Sequence, residues 1–229
     1  MRFSRDDLVD AMYGTAAFIV CLAIALGLIW LLVGCAPGER PVLITSVQAE
    51  DDVTSPLAAR QYRRAITREG RVVWGMTPDL IPVFGGQMLQ ESGFRTDAVS
   101  PVGAAGAAQM MPKTAEWLAQ TYPEIGPVDV MNMDWSIRAM VRYDKALFDR
   151  AKYADTCNRA GAMLSQYNGG GKWHDKRQAM SSTPSDFWGS VRTINPGITA
   201  ANQRENERYS QVIVFTHQPK FRTWGAMTC

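Results

Sequence analysis

Residues 16–33 carry no charged side chain, and Leu, Ile, Val, Phe and Ala dominate the run. Its length is close to the roughly 20 residues an α-helix needs to cross a bilayer. A soluble helix of that length keeps a polar face, so the run predicts a transmembrane helix and argues against a buried core helix. This divides the chain. Residues 1–36 form the membrane segment. Residues 37–56 carry Pro37, Pro41 and Pro56 among small polar and acidic residues, and read as a tether. The remaining stretch, 57–229, is long enough to bury one core.

Helical periodicity dominates that stretch. Spans 57–70, 78–91, 112–122, 134–153, 156–167, 184–193 and 202–216 read as helices, and convincing alternating strand patterns are absent. The expectation is a mostly α domain behind an N-terminal transmembrane helix. The span 78–91 is awkward. Thr77 can cap it and Pro78 suits a first turn, but Pro82, Gly85 and Gly86 are poor helix formers. Leu80, Phe84 and Met88 recur at i, i+4 and i+8, with Leu89 extending the face. The reading is a helix kinked early and packed closely at its glycines.

The net charge of +2 and a pI near 8.4 are too mild to argue for a nucleic-acid partner. Arg60, Arg63, Arg64, Arg68 and Arg71 form a basic run, read as a solvated helix face, with contact to an anionic polymer or lipid headgroups as the alternative. Cys21 and Cys35 belong to the membrane segment. Cys157 and Cys229 belong to the domain, where they stand either as two thiols or as a pair closing a long loop. No cysteine has metal-site spacing, and His174 and His217 are the only histidines. No metal and no cofactor is expected, and a serine–histidine triad lacks support. Leu32-Val33-Gly34-Cys35 resembles a bacterial lipobox, so a cleaved lipoprotein signal stands as the alternative to an uncleaved anchor.

Glu91-Ser92-Gly93-Phe94 ends the awkward helix, and Gly106-Ala107-Ala108-Gln109-Met110-Met111-Pro112 follows as a Gly/Ala-rich turn opening a new helix. Together they place one acid at the floor of a groove whose small walls let a polymer approach closely. Glu91 lies three residues beyond Met88, near the apolar face, so its carboxyl should lose solvation and its pKa should rise.

These residues resemble the lytic transglycosylase (SLT) family, which shares its core with goose-type lysozyme. The resemblance covers roughly 77–214, in four ordered motifs. Gln90-Glu91-Ser92-Gly93-Phe94 resembles the catalytic Glu-Ser motif. Residues 100–115 resemble the Gly-Leu-Met-Gln stretch and its flanks. Gln166-Tyr167-Asn168-Gly169-Gly170 is close to Ala-Tyr-Asn-Ala-Gly. Glu205-Asn206-Glu207-Arg208-Tyr209 is similar to Glu-Thr-Arg-x-Tyr. Two departures stand out. Ala107 and Ala108 replace Leu-Met, so part of the apolar wall against the sugar is either missing or supplied by Met110 and Met111. Asn206 replaces threonine.

The resemblance implies a lysozyme-like fold and a roster of roles. Glu91 is the catalytic acid, and Ser92 holds substrate or orients Glu91. Gln109 hydrogen-bonds sugar amides. The Tyr167 hydroxyl lies near Glu91, and Asn168 fixes the turn or binds an acetamido group. Glu205 and Tyr209 share a helical face and reach the same cleft or form a local pair. Trp117, Trp135 and Trp188 read as core, and Trp173 as a sugar platform. Between Glu91 and Glu116 the only other carboxylate is Asp97, read as structural. That supports a single-acid cleavage of the bond between N-acetylmuramic acid and N-acetylglucosamine, closing a 1,6-anhydro ring. The alternatives are a lysozyme-type hydrolase and a non-catalytic peptidoglycan-binding assembly protein. The implied partners are peptidoglycan glycan strands, the membrane through the N-terminal helix, and an envelope machine or phage lysis proteins. The implied location is the bacterial inner membrane, single pass, with the domain in the periplasm.

Overall fold

The computed structural model describes residues 54–229. The anchor, nearly all of the tether, Cys21 and Cys35 lie outside the described residues. Among the described residues no helix is long and apolar enough to cross a membrane.

The described chain is mostly α, as its periodicity predicts. Its helices are α1 (Leu57–Arg60), α2 (Arg63–Trp74), α3 (Ile81–Glu91), α4 (Pro112–Thr121), α5 (Met133–Arg150), α6 (Thr156–Gly169), α7 (Gly171–Met180) and α8 (Ala200–Val212). A π turn over Ile213–His217 and a 3-10 turn over Gln218–Phe221 continue α8. The longest helix, α5, starts where the Asn132 side chain accepts from the Trp135 amide. It packs against α2, α4 and α6. Ile137, Met140, Val141, Leu147 and Phe148 of α5 join Ile66, Phe84, Met88, Leu118, Met163 and Ile213 in one core. Asp155 and Thr199 cap α6 and α8 by accepting from the amides of Asn158 and Asn202.

α3 shows why Pro82 is tolerated. It opens at Ile81, later than the expected residue 78, and the Asp79 carboxylate accepts from the Ile81 amide. Pro82 therefore sits in the first turn, where its missing N–H costs nothing. The glycines pack closely, as expected. A Cβ on Gly85 would lie 2.6 Å from the Phe221 ring, and one on Gly86 would lie 3.1 Å from the Gln218 amide nitrogen. The C-terminal turns thus lie directly against the helix that ends in Glu91.

Other expectations need correction. Span 57–70 is two helices, broken at Gln61 and Tyr62, and the second runs on to Trp74. Span 184–193 is not a helix beyond a short 3-10 turn, Val191–Thr193. Side chains there capture the backbone amides: Asn158 Oδ1 accepts from Phe187 and Trp188, and Asp186 Oδ1 from Gly189. Helix α7 was not expected from the sequence. Cys157 and Cys229 form a disulfide, their Cα atoms 5.0 Å apart.

Candidate active site

Glu91 is the last residue of α3, and its side chain is half-buried. The Tyr209 hydroxyl of α8 donates to Glu91 Oε1. Burial raises the carboxyl pKa to about 7; the Tyr209 hydrogen bond pulls it down and the nearby Glu205 charge pushes it up. Tyr209 and Tyr167 are themselves pushed well above the usual phenol range, first by burial and then by the Glu91 charge. Both stay protonated donors at neutral pH.

The turn after α3 is bound to the motifs on either side. Ser92 Oγ donates to the Ala107 carbonyl at 2.8 Å and accepts from the Arg95 amide at 3.1 Å. The Tyr167 hydroxyl donates to the Ala108 carbonyl at 2.7 Å. Isolated antiparallel bridges pair Val99 with Ala105 and Ala105 with Met110. Gly106 has φ +78°, and a Cβ there would fall 1.7 Å from the Val130 carbonyl oxygen, so only glycine fits. Gln109, at φ +46°, is held left-handed while its side-chain amide donates to the carbonyls of Ala98 and Gly106 at 3.0 and 2.9 Å.

Several of the assigned residues are engaged within the protein. The Ser92 hydroxyl and the Gln109 amide hydrogens are engaged within the protein, fixing the turn. Tyr209, not Tyr167, is the hydroxyl on Glu91. Met110 is 2 % exposed, its sulfur 3.7 Å from the Tyr167 hydroxyl, so it supports that tyrosine and cannot line the groove. Met111 is exposed, and Ala107 and Ala108 are fully buried. Asp97 is exposed. Trp135 is core, and Trp188 packs on Phe187 and Phe215. Trp117 is 43 % exposed and not core. Of the basic run, Arg63 donates to the Thr223 carbonyl, while Arg64, Arg68 and Arg71 are exposed.

Asn168 and Glu205 do come together: Asn168 Nδ2 donates to Glu205 Oε1 at 3.4 Å. With Trp173, Asn202 and Ile198 they line a cavity of about 230 Å³. Trp173 lies on α7, with the Lys172 and Lys176 ammoniums each 5.8 Å from its ring.

Two buried polar groups behind these residues carry little sequence signal. Asn206, the departure from threonine, donates to Asn168 Oδ1 at 3.0 Å and to the Ser165 carbonyl at 2.8 Å. Its own oxygen accepts from Ser165 Oγ and from Arg177. Arg177 is fully buried and also donates to the Ile194 carbonyl and Gln203 Oε1. His174 beside it has its pKa lowered to about 4 by burial and by Arg177 and Arg150, so it is neutral. The second group lies under α3, where Gln87 Nε2 donates to Asp144 Oδ1 at 3.3 Å. Asp144 is fully buried, and burial raises its pKa well above the usual range, with the Glu91 charge adding to the effect. It is shut away from any ligand.

Glu91 is thus a half-buried carboxyl that titrates at about 7, held by a phenol and set beside the Glu205 charge. Such a group can give a proton and take one back in the same cycle.

Residues 86–187 match the transglycosylase SLT domain. The fold matches the crystal structure of the 70 kDa soluble lytic transglycosylase of Escherichia coli with a TM-score of 0.50 at 16% identity. The match covers 75% of this chain and 26% of that one, so this chain spans about a quarter of that protein's length. No curated protein matches the chain.

Proposed function

We propose that this chain, which belongs to the lytic transglycosylase (SLT) family through residues 86–187, cleaves the glycan strands of peptidoglycan between N-acetylmuramic acid and N-acetylglucosamine, leaving a 1,6-anhydro end. The observation that carries the reading is Glu91, half-buried, held by Tyr209 and titrating at about 7.

A proton passes from Glu91 to the glycosidic oxygen as the C1–O4 bond breaks. The substrate's own N-acetyl group supports the cationic centre. Glu91, now a carboxylate, takes the proton of the muramoyl C6 hydroxyl while that oxygen bonds to C1. The carboxyl is regenerated and no water is consumed. A pKa near the working pH suits a group that must act first as acid and then as base. Two-carboxylate hydrolysis needs a second ionised group at the reacting centre. Asp144 is fully buried, and Glu205, whose charge acts on Glu91, is engaged by the Asn168 side chain, which favours the single-acid route. The Asn168–Glu205 cavity beside Trp173 suits an acetamido sugar, with hydrogen-bonding groups facing an indole.

Product mass tests the reaction. Digestion of intact sacculi should release 1,6-anhydro-muropeptides with the native chain and none with Glu91→Gln. Reducing-end products would instead assign a lysozyme-type hydrolase, and binding without turnover an assembly protein.

The cellular setting is proposed from sequence alone: an inner-membrane anchor at 16–33, a tether, and a periplasmic domain that opens the wall locally for an envelope machine or a phage lysis system. Deleting residues 1–36 should give a soluble, active chain. Unchanged mass and membrane association in Cys35→Ser would exclude the lipoprotein alternative.

A further inference from the structure

We propose that the cavity between α4 and α5 is a second binding site, taking the carboxylate-bearing peptide stem carried by a muramoyl residue of the strand. This rests on the peptidoglycan reading above and names the part of the substrate that this face holds. The cavity measures about 420 Å³ and is lined by Lys113, Thr114, Trp117, Tyr143, Leu147 and Arg150 among others.

Its chemistry has three parts. The first is an aromatic wall. Trp117 leaves 43 % of its surface in solvent. Its ring is nevertheless fixed, edge-on to Tyr122 at 6.1 Å and to Tyr143 at 5.9 Å. An indole immobilised on one side and open on the other offers a ready contact surface. The second is charge. Lys113 is exposed one turn before Trp117 on α4, and among the described residues it makes no ion pair. Arg150 closes the far side. It pairs with Asp175 at 2.7 Å, but both side chains are about half exposed, so a ligand carboxylate can share or displace that contact cheaply. The third is an aliphatic patch from Ala146 and Leu147. Two cations around an apolar, aromatic floor suit a short acidic peptide with small aliphatic side chains. A neutral sugar ring makes no use of the cations.

Position fits as well. Tyr143 leans on Tyr167 at a ring separation of 5.3 Å, and Tyr167 feels the Glu91 charge. The wall of the cavity is thus continuous with the residues around the catalytic carboxyl. A strand lying across Glu91 can drop a stem into it.

The experiment compares two substrates: glycan strands bearing peptide stems, and the same strands stripped of stems by an amidase. The native chain should cleave the stem-bearing strands with the higher kcat/KM, and raising the salt concentration should narrow the gap, since the added attraction is ionic. Lys113→Glu should lower kcat/KM about 10-fold on stem-bearing strands, mainly through KM, and far less on stripped strands. Trp117→Ala should show the same selectivity, with its melting curve confirming an intact fold. Equal losses on both substrates would make the cavity a glycan subsite, and no loss on either would make it no site; each result overturns the proposal. If the native chain cleaves neither strand, the parent reading fails instead. Calorimetry of an isolated stem tetrapeptide then decides this one: binding by native protein that is lost in Lys113→Glu upholds it, and absence of binding rejects it.

Discussion

Replacing Glu91 by glutamine should stabilise the domain at pH 8 and leave it almost unchanged at pH 4. The carboxyl has a pKa of about 7 in the folded chain against an ordinary value of 4.5, chiefly because burial strips water from its charged form. Its neutral form is thus favoured by folding. The contribution is fully present below pH 4.5 and is lost as the pH rises through 7. Moving a carboxyl from 4.5 to about 7 burdens the ionised state by about 3 kcal/mol, an upper figure because the side chain keeps some contact with water. Glutamine is neutral throughout and still offers an oxygen to the Tyr209 hydroxyl. For a domain of this size each kcal/mol moves Tm by about 2–4 °C. The variant should therefore melt up to about 6–12 °C above the native chain at pH 8, and within about 1 °C of it at pH 4. Melts followed by circular dichroism on chains lacking residues 1–36, at pH 4, 6 and 8, give the answer. A gap that stays constant with pH, or one that opens towards acid, would refute the desolvated carboxyl and with it the acid–base role.

Tyr209→Phe removes a hydrogen bond that lowers the Glu91 pKa, so the alkaline limb of the cleavage rate should move upward from about 7; a limb that stays in place would detach Tyr209 from the reaction. Arg177→Met strips donors from Ile194, Asn206 and Gln203, and should cost about 3 kcal/mol in urea unfolding, where a loss under about 1 kcal/mol would deny the network its structural weight. Reducing the Cys157–Cys229 disulfide, which spans 72 residues, should lower stability by up to about 4 kcal/mol, and thiol titration of the native chain without residues 1–36 should find no reactive group.

The sequence was most legible where an apolar stripe repeats over several turns. Helices α4, α5 and α6 fall close to their expected spans for that reason. It was least legible where polar side chains decide the backbone. Helix α7 opens on glycine, and its buried side chains are His174 and Arg177, so no apolar stripe marks it. Residues 184–193 looked helical in isolation. Asn158, nearly 30 residues earlier, captures their amides, which no local pattern records. The same division holds at the site. Motif order located Glu91, Tyr167, Asn168, Glu205 and Tyr209 in one region. It could not say which tyrosine reaches the carboxyl, because that depends on how α8 lies against α3. Trp117, expected in the core, sits on α4 at the edge of the buried face marked by Ala115 and Leu118. Asp144 gave no warning, being a single acid among the buried residues of α5.

The contact of the glycine face of α3 with the C-terminal turns sets a lower limit on what can be transplanted. The segment that matches the family runs over 86–187, but the Phe221 ring over Gly85 and the Tyr209 hydroxyl on Glu91 both come from beyond it. A chain trimmed to that segment would present a notched, water-exposed helix and a carboxylate without its phenol. Recombination or fusion that moves this segment between proteins must carry the downstream helix and its trailing turns along, or deliver a recognisable sequence whose Glu91 has lost its partner.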